Sequence, residues 1–449
     1  MQITTQENPK RAIVAAVQLP NVTDIEFEAS LTELRELAKT LGFEVVYTFT
    51  QKRTSFDTTA YLGVGKRQEI AQYIVASQAG ESEYDAASST AIDFLLVDHE
   101  ISPSQARNLE KETDCEVMDR TMVILEIFHR NARSPAARAQ VEIARLGYMA
   151  PRLREMAKLA GPQGRQRSGV GGRGAGESGT ELDKRKIRDR IAELQLDITK
   201  MDAERQTQRA RRLTNRGLAS VALVGYTNAG KSTLMRALTG SEVLVANKLF
   251  ATLDTTVRAL YPESVPRVLV SDTVGFIKNL PHGLVASFKS TLDEALDASL
   301  LLHVIDASDP GFERQLEVTD HVLEEISAHH LPRIRIFNKI DFVGDDAAQT
   351  AHTQMLMSKY PSCIVMSARN KDNIASLHTE ILTFFQRDLV KAHMFLPWAA
   401  QHLRSDIYTT CKVLAEKADE TGTFFHLSAE QGVIDALNKQ LGKHSIPQV

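Results

Sequence analysis

The sequence predicts an α/β protein: an N-terminal α/β domain with a helical hairpin, then a P-loop domain with a mostly parallel sheet, and a small C-terminal α+β appendage. Three observations support this fold class. Short β-prone runs alternate with helical patterns before residue 133, a phosphate-loop signature follows an apolar run near residue 220, and the last stretch, 389–449, is too short for a large core. Alternating strands and helices are typical of parallel sheets covered by helices.

Length and composition exclude several classes of protein. At about 100 to 200 residues per domain, the 449 residues suggest about three domains, and 43% hydrophobic with 24% charged residues excludes collagen, long disordered tails and disulfide scaffolds. The cysteines Cys115, Cys363 and Cys411 share no metal-binding spacing, which favours a reducing compartment. Apolar runs are far shorter than the roughly 20 residues that cross a bilayer. We expect a cytoplasmic protein without a membrane span, and leave open peripheral association with a membrane.

The first domain, residues 11–133, is predicted from four β-prone runs separated by helical patterns. Leucines recur on one helical face from Leu31 to Leu41, and Gly42 is suited to cap the end of that helix. The pattern favours a small parallel sheet with covering helices. The four runs are Ala12–Leu19, Glu44–Thr50, Asp93–Val97 and Glu116–Met118.

A helical hairpin is predicted for residues 134–217. Apolar residues recur at spacings of three and four from Ala137 to Tyr148 and from Ile187 to Met201. Two such seams joined by a loop are typical of antiparallel helices with coiled-coil packing.

The tip of this hairpin, residues 161–180, combines flexible chain with positive charge. It holds eight glycines, and residues 151–216 carry 17 Lys and Arg against 9 Asp and Glu in a chain of formal net charge -4. Arginine on flexible backbone suits insertion into folded RNA, although a plain linker or a solvated helix face would have a similar composition. The RNA-binding candidates are Arg165, Arg167 and Arg173.

A phosphate-binding loop follows the apolar run Ser220–Val224 and leads into a helical pattern. In this setting backbone amides bind the α- and β-phosphates, Lys231 supplies charge to the β- and γ-phosphates, and the Ser232 hydroxyl ligates Mg²⁺. Lys231 is therefore also a candidate catalytic residue. The loop comprises Gly225, Tyr226, Thr227, Asn228, Ala229, Gly230, Lys231, Ser232 and Thr233.

Three further segments occur in the order expected of a guanine-nucleotide switch. Asp272 can hold Mg²⁺ through water, and the Gly275 amide can meet the γ-phosphate, which makes Gly275 a second catalytic candidate. Asp341 can accept two hydrogen bonds from guanine, a pair that adenine cannot donate. A last tripeptide brings a backbone amide near guanine O6. The candidate residues are Asp272, Thr273, Val274, Gly275, Asn338, Lys339, Asp341, Ser367, Ala368 and Arg369.

A threonine between the phosphate loop and Asp272 is expected to complete the Mg²⁺ shell and to sense the γ-phosphate. We predict Thr252 as this metal-binding and catalytic residue, with Thr255 or Thr256 as alternatives because the spacing does not discriminate among them. The nucleotide-binding candidates of this segment are Phe250, Ala251, Thr252, Leu253 and Asp254.

Hydrolysis is predicted to be slow in the isolated chain. Many related nucleotide switches orient the attacking water with a glutamine after D-x-x-G, whereas Phe276 stands there and cannot form a side-chain hydrogen bond. A partner that orders the switch segments would accelerate the reaction. K⁺ is a second hypothesis: Asn228 could help bind an ion that offsets charge between the phosphates, and a purely structural Asn228 is the alternative.

A six-stranded sheet is predicted within residues 218–388, with 300–305 central and helices over 312–327 and 374–385 covering it. Residues 389–449 are predicted to form a small α+β domain with Phe395 and Trp398 as packing anchors. We assign this last domain no chemistry.

With these motifs in place, the chain as a whole resembles the HflX family of translational GTPases, within the Obg-HflX group of P-loop GTPases. The likeness extends over most of the chain, and its N-terminal stretches are more specific than the phosphate-loop motifs. The stretches that carry it are Tyr61–Lys66, Asp119–Phe128, Gln140–Ala144, Pro151–Leu153, Arg173–Glu177, Phe250–Asp254 and Asp272–Phe276.

The resemblance implies a cytosolic GTPase, binding GTP and GDP, that acts on the large ribosomal subunit and its rRNA to split or rescue stalled ribosomes. A ribosome-assembly GTPase and a nucleotide-dependent regulatory binding protein are the alternatives. We expect a monomer. ATP binding has been linked to the N-terminal domain of the family; Gly63, Gly65 and Lys66 are the visible candidates, against a tight turn or an RNA contact.

Overall fold

The structure is a computed structural model, and it describes residues 9–79, 91–159, 179–216, 219–240, 249–250, 253, 255–264, 267–278, 295–387 and 389–442. It divides into two compact units. Of these residues, the first unit holds those up to 198 together with 249–250, and the second holds the others. The predicted division into four domains remains a prediction. None of the described helices is both long enough and apolar enough to cross a lipid bilayer.

The first unit contains a parallel four-stranded sheet in the order β2-β1-β3-β4. β1 is buried at every position after its first, because a parallel sheet is covered on both faces. All four strand predictions are confirmed within two residues at each end. The strands are β1 (Lys10–Gln18), β2 (Phe43–Lys52), β3 (Phe94–Val97) and β4 (Glu116–Asp119).

The helices of the first unit begin and end at recognisable signals. The first helix starts with a capping box in which Thr23 and Glu26 satisfy each other's backbone amides. It ends at Thr40, its C-cap is Leu41 instead of the predicted Gly42, and Gly42 follows with φ +81°. The helices are α1 (Asp24–Thr40), α2 (Val64–Ala79), α3 (Pro103–Thr113), α4 (Arg120–Asn131), α5 (Pro135–Leu159) and α6 (Gly179–Arg216), the last of which continues into the second unit.

Contacts between α5 and α6 support the predicted hairpin. The guanidinium of Arg190 donates to both carboxylate oxygens of Glu142, at 2.9 and 3.3 Å. Leu194, in the predicted seam of α6, is buried. The tip with Arg165, Arg167 and Arg173 lies outside the described residues.

The second unit contains a six-stranded sheet in the order β10-β9-β8-β5-β7-β6, in which only β6 runs antiparallel to its neighbour. The predicted six strands and the central place of 300–305 are confirmed. The strands are β5 (Ala219–Val224), β6 (Thr256–Ala259), β7 (Val268–Asp272), β8 (Leu300–Asp306), β9 (Arg333–Asn338) and β10 (Ile364–Val365); the helices are α7 (Lys231–Thr239), α8 (Phe312–Glu325), α9 (Asp346–Lys359) and α10 (Lys371–Gln386).

An antiparallel sheet in the order β11-β13-β12 follows α10. Met394, Leu396, Phe425 and Leu427 form its core with the adjacent helices. The prediction that Phe395 and Trp398 anchor this core is wrong, because strand alternation turns Phe395 to the opposite face and Trp398 is 45% exposed. The elements are β11 (Val390–Pro397), α11 (Arg404–Thr410), β12 (Lys412–Ala418), β13 (Gly422–Ala429) and α12 (Gln431–Leu441).

Candidate nucleotide-binding site

The phosphate loop joins β5 to α7 with a backbone that requires glycine at two positions. Gly225 has φ +145°, and a Cβ there would lie 2.2 Å from the carbonyl oxygen of Val304. Gly230 has φ +98°, and a Cβ there would lie 2.2 Å from Nδ2 of Asn338. Both glycines therefore allow close approach of neighbouring chain, which a loop needs if its backbone amides are to reach a bound phosphate.

Lys231 is held inside this loop. Its side chain is buried, and Nζ donates to the carbonyl oxygens of Gly225 at 2.9 Å and Tyr226 at 2.7 Å. Desolvation lowers the pKa of Lys231 to about 8, while the charge of Asp272 opposes that shift. A bound phosphate would restore the full charge of the amine, because an anion at hydrogen-bond distance favours the protonated form.

Ser232 and Asp272 meet at the carboxyl ends of β5 and β7. The Ser232 hydroxyl donates to Oδ2 of Asp272 at 2.9 Å. The adjoining Thr273 hydroxyl donates to the Leu223 carbonyl at 2.7 Å, which fixes the chain leaving β7. Magnesium prefers hydroxyl, carboxylate and water oxygens, so this pair fits the ion that P-loop GTPases use.

The chain after β7 pairs with the phosphate loop. Thr227 N donates to the Phe276 carbonyl at 2.7 Å, and Phe276 N donates to the Gly225 carbonyl at 3.1 Å. A Cβ on Gly275 would lie 2.9 Å from Nζ of Lys231. The Phe276 ring is buried. The structure therefore brings the predicted γ-phosphate contact beside Lys231, with an apolar residue next to it.

The base-recognition segments meet at Asn338, at the end of β9. Its Nδ2 donates to the Ala229 carbonyl at 2.9 Å, and its Oδ1 accepts from Ala368 N at 2.9 Å. The side chain is 2% exposed. One amide thus ties the phosphate loop to the Ser367–Arg369 tripeptide.

Asp341 and Arg369 lie together at the open side of this region. Nη1 of Arg369 is 3.9 Å from Oδ2 of Asp341, and its guanidinium lies 5.0 Å from the centre of the Phe342 ring. Both charged side chains are at least one-third exposed. The carboxylate that is predicted to read guanine is therefore accessible and faces a cation.

Two supporting residues were missed by the sequence analysis. Asp306 ends β8, and its Oδ2 accepts from Nζ of Lys339 at 2.7 Å. Asn373 accepts a hydrogen bond from the Ser367 backbone at 3.0 Å. A carboxylate at the end of a central parallel strand was the available signal for Asp306; Asn373 has no comparable signal in the sequence.

The segment after the phosphate loop is described only at some of its predicted residues. Ala251, Thr252 and Asp254 lie outside the described residues. Leu253 is buried in the second unit. Phe250 belongs to the first unit, where its ring centre is 4.5 Å from that of Phe128 and its carbonyl accepts from Asn131 at 2.8 Å. The nucleotide contacts of this segment remain a prediction.

The glycines of the N-terminal candidate lie at the start of α2. Gly63 N donates to Oε1 of Gln51 at 3.0 Å, and a Cβ on Gly63 would lie 2.5 Å from a guanidinium nitrogen of Arg53. Nζ of Lys66 pairs with Glu69 at 2.6 Å. These contacts fit the tight turn that was the alternative to ATP binding.

Three family models match the chain in succession. They are described as the GTP-binding GTPase N-terminal region over residues 28–129, the GTP-binding GTPase middle region over 131–212 and the 50S ribosome-binding GTPase over 220–339.

Curated relatives match along nearly the whole chain. The GTPase HflX of Gluconacetobacter diazotrophicus is 49% identical over 96% of this chain and 97% of its own, and the GTPase HflX of Escherichia coli is 35% identical over 92% of each. Among solved structures, a GTP-binding protein of Sulfolobus solfataricus in complex with GDP is 24% identical, covers 83% of this chain and 99% of its own, and has a TM-score of 0.43.

Proposed function

The chain belongs to the HflX family of GTPases, and from this premise we propose that it binds the large ribosomal subunit and couples GTP binding and hydrolysis to the splitting or rescue of stalled ribosomes. It is a GTP hydrolase, as the family is. The splitting of ribosomes and the contacts with rRNA are the proposed part.

The observation that carries the proposal is the position of Phe276. In a self-sufficient GTPase a polar side chain after D-x-x-G orients the attacking water. Here the side chain at that position is a buried ring whose backbone pairs with the phosphate loop. The chain therefore needs an outside surface to complete hydrolysis, and the 50S ribosome-binding description of the family that matches residues 220–339 suggests which surface.

We infer the following roles at the phosphates. Ser232, Asp272 and Thr252 hold Mg²⁺, which when bound neutralises charge on the phosphate oxygens. Lys231 turns its amine from the loop carbonyls to the β- and γ-phosphates. The Gly275 amide donates to the γ-phosphate, so loss of that phosphate releases the chain that follows it.

At the base, Asp341 accepts from guanine and Lys339 packs beside it, held by Asp306. Nη1 of Arg369 lies 3.9 Å from the Asp341 carboxylate, on the same side of the site. An adenine base would leave this carboxylate without its two donors, which disfavours ATP.

Turnover of GTP with and without purified large subunits tests the proposal. We expect the isolated chain to be slow and large subunits to stimulate it. A variant with Arg165, Arg167 and Arg173 changed to Ala is expected to lose most of the stimulation, because the basic tip contacts rRNA. Exchange of Arg35, Lys39 and Lys52, whose side chains are 37%, 73% and 76% exposed, for Ala is the charge-matched control and should change little.

The three possible adverse outcomes have different meanings. Wild-type turnover that ignores large subunits contradicts ribosome action and favours a nucleotide-dependent regulatory binding protein. Normal stimulation of the tip variant contradicts only the role of the tip. Stimulation by assembly intermediates, with none by mature subunits, would indicate the alternative assembly GTPase.

Four narrower points belong to the same proposal. The first is that K⁺ assists hydrolysis through Asn228. The second and third are that the protein is cytoplasmic, with peripheral membrane association as an open alternative, and that it acts as a monomer.

The fourth concerns ATP binding at Gly63, Gly65 and Lys66. The ion pair of Lys66 with Glu69 favours the alternative, a structural turn.

A further inference from the structure

The C-terminal sheet leaves one face open. In its antiparallel register, nine residues on this face form three rows across the strands. The other face packs on the helices of the same domain. The first row is Lys391, Ser428 and Lys412; the second is His393, His426 and Ala415; the third is Phe395, Phe424 and Lys417. We call these nine residues the open face.

Four aromatic rings lie side by side on the open face. The rings of Phe395 and Phe424 are 4.6 Å apart, and those of His393 and His426 are stacked at 4.4 Å with an interplanar angle of 16°. Phe424 is 51% exposed. Exposed rings grouped in this way are unusual on a protein surface and mark an interaction site.

The charge of the open face has one sign. Lys391, Lys412 and Lys417 are exposed at its margins, and none of the nine positions is Asp or Glu. The carboxylate of Glu416 belongs to the opposite side of the sheet, where it pairs with Arg404 at 3.3 Å. The lysines therefore suit a polyanion, and the rings suit one that also carries flat groups that can stack.

We propose that the open face binds single-stranded RNA, with bases stacked on the Phe and His rings and phosphates paired with the three lysines. Aromatic side chains on an open antiparallel sheet are a known platform for unpaired bases. Duplex RNA hides its bases within the helix, so it cannot use the rings. A protein partner is disfavoured because lysine, which occupies three of the nine positions, is depleted in protein interfaces relative to the rest of the surface.

This binding surface is separate from the basic hairpin tip and from the nucleotide site. The binding experiment therefore uses the full chain with Arg165, Arg167 and Arg173 changed to Ala, so that the tip does not contribute. A fluorescein-labelled 12-nucleotide single strand of mixed A and U is titrated by anisotropy at several KCl concentrations, with a 12-base-pair RNA duplex in parallel.

Combined exchange of Phe395→Ala and Phe424→Ala is expected to raise Kd for the single strand at least about tenfold, as loss of base stacking does. Exchange of Lys391, Lys412 and Lys417 for Gln is expected to lower the slope of log Kd against log salt by about 2, because each of three lost phosphate contacts contributes about 0.7 to that slope. Tyr408→Ala and Lys439→Gln change an exposed ring and an exposed lysine on the helix side of this domain, and should change neither value.

Cross-linking gives an independent readout. The same strand with 4-thiouridine, irradiated with the full chain that carries the three tip exchanges, should attach to peptides that contain 391–395 or 424–428. Unchanged Kd in the double Phe variant with native circular dichroism overturns the proposal, and so do cross-links confined to other peptides. Equal affinity for the duplex also contradicts it. A loss of binding to a ribosomal protein in these variants, with RNA affinity intact, makes the face a protein-docking surface.

Discussion

The side-chain oxygen of Asn338 accepts a hydrogen bond from the backbone nitrogen of Ala368 at 2.9 Å. The same amide group donates to the Ala229 carbonyl at 2.9 Å. Gly230 lies so close to it that a Cβ would stand 2.2 Å from Nδ2. The loop for phosphates and the loop for the base are thus held at a fixed separation by one buried side chain.

Replacing Asn338 with Ala removes both bonds and leaves two backbone groups without partners. We expect the free energy of unfolding of the second unit to fall by about 2 to 4 kcal/mol, because buried polar groups lose their hydrogen bonds. We also expect the affinity for GDP to fall at least about tenfold, because the two loops are no longer held together. Hydrogen exchange of the β5 and β8 amides, which reports on the second unit, and titration with a fluorescent GDP analogue measure the two effects. Asp345→Ala, which removes only the N-cap of α9, should cost about 1 kcal/mol and leave GDP affinity unchanged.

Asp341 is predicted to read the base through two accepted hydrogen bonds. In Asp341→Asn the amide offers one acceptor and one donor, which match N1–H and O2 of xanthine instead of the two donors of guanine. We expect GTP affinity to fall about 100-fold or more and XTP to bind better than GTP. Competition against labelled GDP by GTP, XTP and ATP measures this change.

The control for that exchange is Asp345→Asn, which keeps a good N-cap for α9 and should retain preference for GTP. If Asp341→Asn binds GTP as tightly as the wild type, the carboxylate does not contact the base. Arg369, which lies beside it, would then become the residue to test at the base.

Local sequence predicted the nucleotide site well because its parts are strand ends followed at once by loops. Val224 leads directly into Gly225, and Asp272 ends β7. Asp306 also ends a strand, which was a signal for it, but its role depends on the register that pairs it with Asn338 across β8 and β9. Only that pairing brings its carboxylate to Lys339.

The C-terminal sheet was harder to predict for a related reason. Alternation in β11 separates Met394 and Leu396 from Phe395, but it does not tell which set meets the helices. The size of an aromatic ring suggested that Phe395 belongs to the core. The smaller residues occupy it instead, since β13 presents Phe425 and Leu427 on the same side.

Asn228 gives the hypothesis of K⁺ dependence a direct test. The residue has φ +59° at the exposed outer turn of the phosphate loop, a backbone conformation that asparagine tolerates. We expect GTP turnover to be about tenfold or more faster in KCl than in NaCl, since the ion offsets charge between the phosphates. Asn228→Ala should remove the difference, and Asn108→Ala, in the first unit, should keep it. Equal wild-type rates in the two salts would exclude a role for K⁺.

Arg120 is a buried charged residue of the first unit. Among the charged residues of this unit, we expect its removal to lower the free energy of unfolding most. The residue is 2% exposed, and its guanidinium donates to Oδ1 of Asp98 at 3.1 Å and pairs with Glu33. Arg120→Ala leaves these carboxylates facing a cavity without their cation, and breaking a buried pair costs about 3 to 5 kcal/mol. Arg35→Ala breaks the exposed pair with Glu28 and should cost less than about 1 kcal/mol.

Hydrogen exchange of the β1 and β3 amides measures the Arg120 effect within the first unit, which matters because unfolding of a chain with two units is not two-state. The opening free energy of these amides should fall in Arg120→Ala and stay near the wild-type value in Arg35→Ala. The amides of β5 and β8, in the other unit, serve as an internal reference. Equal protection of β1 and β3 in both variants would mean that water replaces the guanidinium without loss, and that the network around Asp98 contributes little to the stability of the sheet.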